Sequence, residues 1–169
     1  MKPIPAAQAI PLLEQFLEGK GTVMFVVAAE PLLEQAVYEG VEHGTITGAD
    51  DLDRLTKEIY SRFTIWPDKN EELKNQWMMV RLMYEDPLYN INYVYGALLA
   101  SKYYELYRRD PKGFVPRYIA LMSNGFDAPP AVLLKRFLNI DLNDPQLVSD
   151  EVKVVNERVR RLEESYRAN

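Results

Sequence analysis

Two tyrosines, Tyr89 and Tyr93, stand four residues apart in the segment 87–96, and Gly96 follows three residues after the second. Residues at these spacings share one face of a helix. The pattern therefore predicts two phenols that flank a smooth strip of small residues. Phenol hydroxyls can donate hydrogen bonds to a carbonyl group or to a developing oxyanion in a cleft. That is the chemistry which this spacing suggests.

The pattern alone favours a structural role for the same tyrosines. Tyrosine is a large core residue, and its hydroxyl commonly finds a partner at the edge of a domain. Apolar residues such as Ile91, Leu98 and Leu106 fall on the opposite side of the same predicted helix, so this helix is expected to be central. Periodicity alone does not separate the binding interpretation from the core interpretation.

Composition excludes several classes of function. The chain has 169 residues with one histidine and no cysteine, so disulfides and thiol catalysis are excluded and almost nothing is available to hold a catalytic zinc. A formal net charge of −5 argues against nucleic acid as a partner, because phosphate binding needs a clustered positive surface.

The hydropathy pattern predicts a protein that does not enter a membrane. The longest apolar run, at 23–29, is far shorter than the ~20 residues that span a bilayer. Prolines interrupt the N-terminus, which lacks the apolar core of a secretory signal. We therefore expect a cytoplasmic location.

Glycine is sparse and proline falls mostly between periodic segments rich in helix-forming residues. This pattern predicts an all-α fold of about seven helices in a single-domain bundle. The expected helices cover 6–18, a segment ending at His43, 50–63, 71–84, 87–109, 111–123, 130–138 and 145–167. Residues 22–28 suit a short buried strand as well as a helix. Residues 1–28 are expected to form an N-terminal helix and connecting segment, and residues 29–169 the helical domain.

Cap signals set the helix boundaries. Asp86, Asp110 and Asp144 each precede a proline, and an aspartate followed by proline is typical of a helix start. Thr47 and Asp50 match a capping box. Gly44 is placed to end the second helix in a left-handed conformation.

Several short segments together resemble a known family. They are Leu-Glu-Gln-Ala-Val-Tyr at 33–38, Gly-Thr-Ile-Thr at 44–47, the tyrosine segment 87–96, Asp110-Pro111 with Phe114 and Tyr118, Gly125 with the short helix after it, and Ile-Asp-Leu-Asn-Asp-Pro at 140–145. In order and spacing, residues 29–167 resemble the C-terminal helical lobe of the zinc oligopeptidases of the thimet oligopeptidase and oligoendopeptidase F family.

The resemblance implies a role for the tyrosine segment. In that family these phenols line the substrate channel, bind the peptide carbonyl and stabilise the tetrahedral intermediate. The matching positions here are Tyr89 and Tyr93, with Gly96 as the residue that allows close approach.

The family's zinc chemistry is missing from this sequence. It needs an HExxH helix, whose two histidines hold the metal and whose glutamate activates water, and a further carboxylate ligand. His43 is the only histidine, and we expect it to be a surface or capping residue. The carboxylates Asp50, Asp51 and Asp53 are better explained as residues that favour the N-terminus of a helix than as a cation site.

The sequence therefore predicts a catalytically incomplete, oligopeptidase-like helical domain that binds a peptide or a protein partner through Tyr89, Tyr93 and Gly96. It predicts no catalytic residue, no metal site and no cofactor of its own. The alternative is the substrate-binding subunit of a split zinc metalloendopeptidase, whose HExxH lobe and zinc a separate chain would supply. A purely structural subunit remains a third interpretation, and a homodimer would cover the tyrosine face equally well.

Overall fold

The computed structural model of the chain describes residues 6–168, without the side chains of residues 6, 7 and 67. Every regular element in this range is a helix, which confirms the predicted all-α fold. The α-helices are α1 (Ala6–Gly21), α2 (Ala29–Glu42), α3 (Ala49–Ser61), α4 (Trp66–Lys69), α5 (Leu82–Glu85), α6 (Ile91–Arg109), α7 (Pro111–Asn124), α8 (Pro130–Leu138) and α9 (Gln146–Arg167). Seven of them have nine or more residues, as expected.

The described helices form two compact units. The first ends at Ala97 and the second begins at Leu98, so the division falls within α6. The predicted boundary after residue 28 stays a prediction. None of the helices in residues 6–168 combines the length and the apolar character needed to cross a membrane.

The first unit is built around α2 and α3. Helix α3 packs against α2 and against a 3₁₀ helix, Glu71–Met79. Their apolar faces form a core whose buried members are Ala29, Leu33, Val37, Ile59, Tyr60, Val80 and Met83. The helices α2 and α3, which form this core, also contain residues of the candidate functional site.

The sequence allows either a short strand or a helix at residues 22–28, and the structure shows a π-helix, Thr22–Val27. The single helix predicted at 71–84 is wrong, because the 3₁₀ helix and the short α5 replace it. Asp53 accepts hydrogen bonds from Asn75 Nδ2 at 2.9 Å and from Trp77 Nε1 at 2.8 Å. Residues two apart point about 120° apart in a 3₁₀ helix and about 160° apart in an α-helix, so one shared acceptor favours the tighter helix.

The second unit has its own core, formed where α7 packs on α8 with residues of α6 and α9. Its buried members are Leu106, Phe114, Leu121, Leu133, Leu134, Leu138, Ile140 and Leu147. Two predicted helix starts are confirmed here. Asp110 accepts from the Gly113 N–H at 3.0 Å, and Asp144 accepts from the Gln146 N–H at 2.9 Å.

The start of α3 is capped one residue later than expected. Asp51, and not Asp50, accepts from the Thr47 N–H at 2.9 Å and from its hydroxyl at 3.0 Å. The Thr47 hydrogen bonds and the Arg54 guanidinium hold the pKa of Asp51 at about 2. Gly44 adopts φ +69° after α2, which confirms the predicted left-handed C-cap.

Candidate functional site

The tyrosine segment begins with a turn and not with a helix. Asp86-Pro87 was expected to start α6, but α6 begins only at Ile91. Leu88 has φ +59°, in the left-handed region that costs a non-glycine residue about 1–2 kcal/mol. A helix from Pro87 is therefore wrong, and Tyr89 lies in the turn before α6.

The two phenols nevertheless meet. The ring centroids of Tyr89 and Tyr93 lie 5.6 Å apart with an interplanar angle of 72°, an edge-to-face contact that aromatic pairs favour. Their side chains are 38% and 51% exposed. The core interpretation therefore does not hold for these two residues.

Gly96 lies on α6 three residues after Tyr93, so the two share a face. A Cβ atom added at Gly96 would meet no atom within 4 Å among the described residues. Packing in the described chain therefore does not require glycine at this position. Close approach by another molecule stays the predicted reason for it.

A buried glutamate on α2 holds the turn that carries Tyr89. Glu34 is 1% exposed, and its Oε1 accepts from the Leu88 N–H at 2.6 Å. The same oxygen lies 2.7 Å from the Tyr38 hydroxyl, which also reaches the Met83 carbonyl at 2.6 Å. Partial burial and the hydrogen bond to Glu34 raise the pKa of Tyr38 to about 12. This network offsets the unfavourable backbone conformation of Leu88.

A second glutamate, Glu30, lies one helical turn before Glu34 on α2. Its Oε2 accepts from Asn90 Nδ2 at 2.5 Å, which fixes the other end of the turn. Burial raises the pKa of Glu30 above its ordinary value, and the charge of Glu34 adds to this effect against the Asn90 hydrogen bond. Among residues 6–168, no ion pair involves Glu30 or Glu34.

Helix α3 contributes Tyr60, which is 5% exposed. Its hydroxyl has no hydrogen-bond partner in the described part of the chain. Burial raises the pKa of Tyr60, and the charge of Glu30 raises it further. The Tyr89 phenol raises the pKa of Tyr93, and Glu30 also contributes there. The hydroxyls of Tyr60 and Tyr93 therefore both lie within the electrostatic reach of the Glu30 carboxylate.

We call this group the tyrosine–carboxylate site. Its members are Glu30, Glu34, Tyr60, Tyr89, Asn90 and Tyr93, and all of them belong to the first unit. Sequence reasoning found the two exposed tyrosines and missed the other members. A signal was available, since Glu30 and Glu34 adjoin Ala29 and Leu33, which belong to the buried apolar stripe of α2. Acidic side chains are almost never fully buried unless they are paired with another polar or charged group.

Other candidate residues serve the fold. His43 is exposed at the C-cap of α2, as expected. Asp51 caps α3 and Asp53 binds the 3₁₀ helix, as described above. In the described residues, no group of three or more histidine, aspartate or glutamate side chains is arranged to hold a metal ion.

The second unit contains a cavity of about 190 Å³ beside α9. Its wall includes Lys102, whose Nζ lies 2.7 Å from Glu105 Oε2 and 3.0 Å from Asp150 Oδ2. Asp150 also contacts Lys153 at 3.2 Å. Both lysines of this wall are thus paired with carboxylates, whereas among residues 6–168 no ion pair involves Glu30 or Glu34 of the tyrosine–carboxylate site.

Comparison of the chain with models of known protein families, with curated proteins and with solved structures finds no significant match. The resemblance to the oligopeptidases therefore stays a prediction from the sequence.

Proposed function

We propose that this chain is a catalytically incomplete relative of the oligopeptidase C-terminal lobe and binds a peptide, or an extended segment of a partner protein, through Tyr89, Tyr93 and Gly96. The phenols supply hydrogen-bond donors for peptide carbonyls, and the bare backbone at Gly96 admits the ligand closely. The chain needs no metal of its own for this activity.

One observation carries the proposal. The fold places Leu88 in an unfavourable left-handed conformation and uses the buried carboxylate of Glu34 to hold it there, at a Leu88 N–H to Oε1 distance of 2.6 Å. The result is that Tyr89 stands against Tyr93 with both rings open to solvent. Strained backbone held by its surroundings is concentrated at functional sites. Exposed aromatic side chains held in a fixed geometry are typical of binding surfaces.

The proposal is tested with a pool of randomised octapeptides that carry a neutral fluorophore at the C-terminus. We expect the fluorescence anisotropy of the pool to rise when the wild-type protein is added. The double variant Tyr89→Phe/Tyr93→Phe keeps both rings and loses both donors. Because each hydrogen bond contributes about 1 kcal/mol, the loss of both should lower the apparent affinity about thirtyfold.

Tyr104→Phe is the matched control, because Tyr104 is an exposed tyrosine on α6 outside the tyrosine–carboxylate site. Its affinity should equal that of the wild type. Equal affinity of the double variant and the wild type would contradict the proposal, and so would a lack of binding by the wild type.

A further inference from the structure

The tyrosine–carboxylate site carries negative charge without a matching cation in the part of the chain that the structure describes. Glu30 and Glu34 lie one turn apart on α2, and no ion pair of residues 6–168 involves either of them. Glu34 stabilises the fold, since its Oε1 accepts a hydrogen bond from the Leu88 N–H and contacts the Tyr38 hydroxyl. Glu30 uses only Oε2, for Asn90. Its other oxygen has no hydrogen bond to the described residues.

A second observation at the same place points to a ligand. The Tyr60 hydroxyl is buried and has no partner in the described residues, and a buried polar group left in this state costs about 1–3 kcal/mol. Tyr60 belongs to the same core as Ala29, the neighbour of Glu30 on α2, and the charge of Glu30 adds to burial in raising the pKa of Tyr60. A donor group that bound Glu30 would find in Tyr60 a second oxygen acceptor.

The stereochemistry narrows the class of ligand. A guanidinium group binds a carboxylate best through both oxygens, and the Asn90 hydrogen bond to Oε2 at 2.5 Å crowds that approach. A divalent metal is usually held by several anionic ligands, and the described residues contain no group of three or more histidine, aspartate or glutamate side chains arranged for one. A primary ammonium is compact, carries one charge and has three N–H donors. It also interacts favourably with the faces of aromatic rings such as those of Tyr89 and Tyr93.

We infer that Glu30 and Tyr60 bind a primary ammonium group of the peptide that lies on Tyr89 and Tyr93. This inference rests on the proposed function and adds a specificity to it. A free peptide N-terminus and a lysine side chain both supply such a group. Either would place a positive charge against the carboxylate of Glu30, where residues 6–168 provide no ion pair.

Three octapeptides of alanine, serine and leucine test the inference at pH 7, each amidated and labelled with a neutral fluorophore at the C-terminus. The first has a free N-terminus, the second is N-acetylated, and the third is N-acetylated with one central lysine. Affinities are measured for the wild type, for Glu30→Gln and for Glu42→Gln. Glutamine keeps an oxygen acceptor for Asn90, and Glu42 is an exposed glutamate at the end of the same helix.

The wild type should bind a peptide with an ammonium group at least about tenfold more tightly than the acetylated neutral peptide, as expected for a charge-assisted hydrogen bond. Whether the free N-terminus or the lysine gives this gain identifies the source of the group. Glu30→Gln should abolish the gain, taken as the ratio of the two affinities within each variant, whereas Glu42→Gln should retain it. Tyr60→Phe should reduce the gain several-fold.

Equal binding of all three peptides would overturn the ammonium site and leave the proposed function standing, provided that this binding still depends on Tyr89 and Tyr93. A preference that survives in Glu30→Gln would also overturn it. Binding of none of the peptides would overturn both the inference and the proposed function.

Discussion

The half-buried Glu30 carboxylate differs in its ionisation from an ordinary surface carboxylate. Its one hydrogen bond to Asn90 at 2.5 Å favours the charged form, while burial and the neighbouring Glu34 oppose it, and burial dominates. Proteins retain such unfavourable charges mainly where a ligand uses them.

Glu30→Gln should change how stability depends on pH. The pKa of Glu30 is raised in the folded state above its ordinary value of 4.5. Its contribution to stability is therefore fully present below that value and is lost as the pH rises through the folded pKa. Glutamine does not titrate. As the pH rises through the folded pKa of Glu30, the free energy of unfolding of Glu30→Gln should therefore increase relative to that of the wild type, and above that pKa the difference should stay constant.

Urea denaturation between pH 4 and pH 8 measures this difference, with Glu42→Gln as the control that should follow the wild type. The titratable groups that face Glu30 are Glu34 on α2, Tyr60 on α3 and Tyr93 on α6. The pKa values of both tyrosines are raised, so the two stay neutral throughout this range. Parallel curves for wild type and Glu30→Gln would show that Glu30 titrates like a solvated carboxylate.

Tyr60→Phe should stabilise the unliganded protein. Phenylalanine keeps the buried ring in the core and removes a hydroxyl that lacks a partner in the described residues. The free energy of unfolding should therefore rise by about 1 kcal/mol, whereas the exposed control Tyr104→Phe should change it little. A loss of 1 kcal/mol or more in Tyr60→Phe would mean that the hydroxyl is satisfied in the folded protein.

At the scale of elements, the turn at residues 87–90 determines where Tyr89 points. Leu88 has φ +59° and a side chain that is 46% exposed, so substitutions there act mainly through the backbone. Leu88→Val should lower the free energy of unfolding by about 1 kcal/mol or more, because β-branched residues are strongly disfavoured in the left-handed region. Leu88→Asn should be at least as stable as the wild type, since asparagine tolerates this region.

Chemical denaturation of the two variants checks this prediction, and both keep the N–H group that binds Glu34. Equal destabilisation by valine and asparagine would show that contacts of the leucine side chain, and not the conformation of the backbone, decide the stability of this turn.

Elements with strong local signals were predictable from the sequence. Helix α8 was predicted with its observed bounds, because prolines mark its start and an apolar pattern runs to its end. Elements that depend on polar contacts between residues far apart in the sequence were not predictable in this way. The turn before α6 depends on Glu34, which is 54 residues from Leu88 in the sequence, and the 3₁₀ helix depends on Asp53 of α3.

The residues of the candidate site also differ in whether the sequence pattern predicts them. Tyr89, Tyr93 and Gly96 lie within one segment, so their spacing was informative without the fold. Glu30 comes from α2 and reaches that segment through Asn90 only when the first unit packs, and Tyr60 comes from α3. Their participation required the tertiary structure.

At the scale of the whole molecule, the sequence contains one histidine and no cysteine. We therefore expect the purified chain, alone, to bind no stoichiometric zinc and to leave internally quenched peptide substrates intact. Native mass spectrometry measures the metal content and the oligomeric state in one experiment. Tightly bound zinc in the isolated chain, at one ion per protein, would contradict the view that it is catalytically incomplete.

The most direct test of the account is an NMR titration of the isotopically labelled protein with the octapeptide that has a free N-terminus. We predict that the largest amide shift changes fall at residues 89–96 and around Glu30, and that Tyr89→Phe/Tyr93→Phe reduces them. Changes confined to the second unit, for example along the cavity beside α9, would contradict it, as would a spectrum that does not respond to peptide.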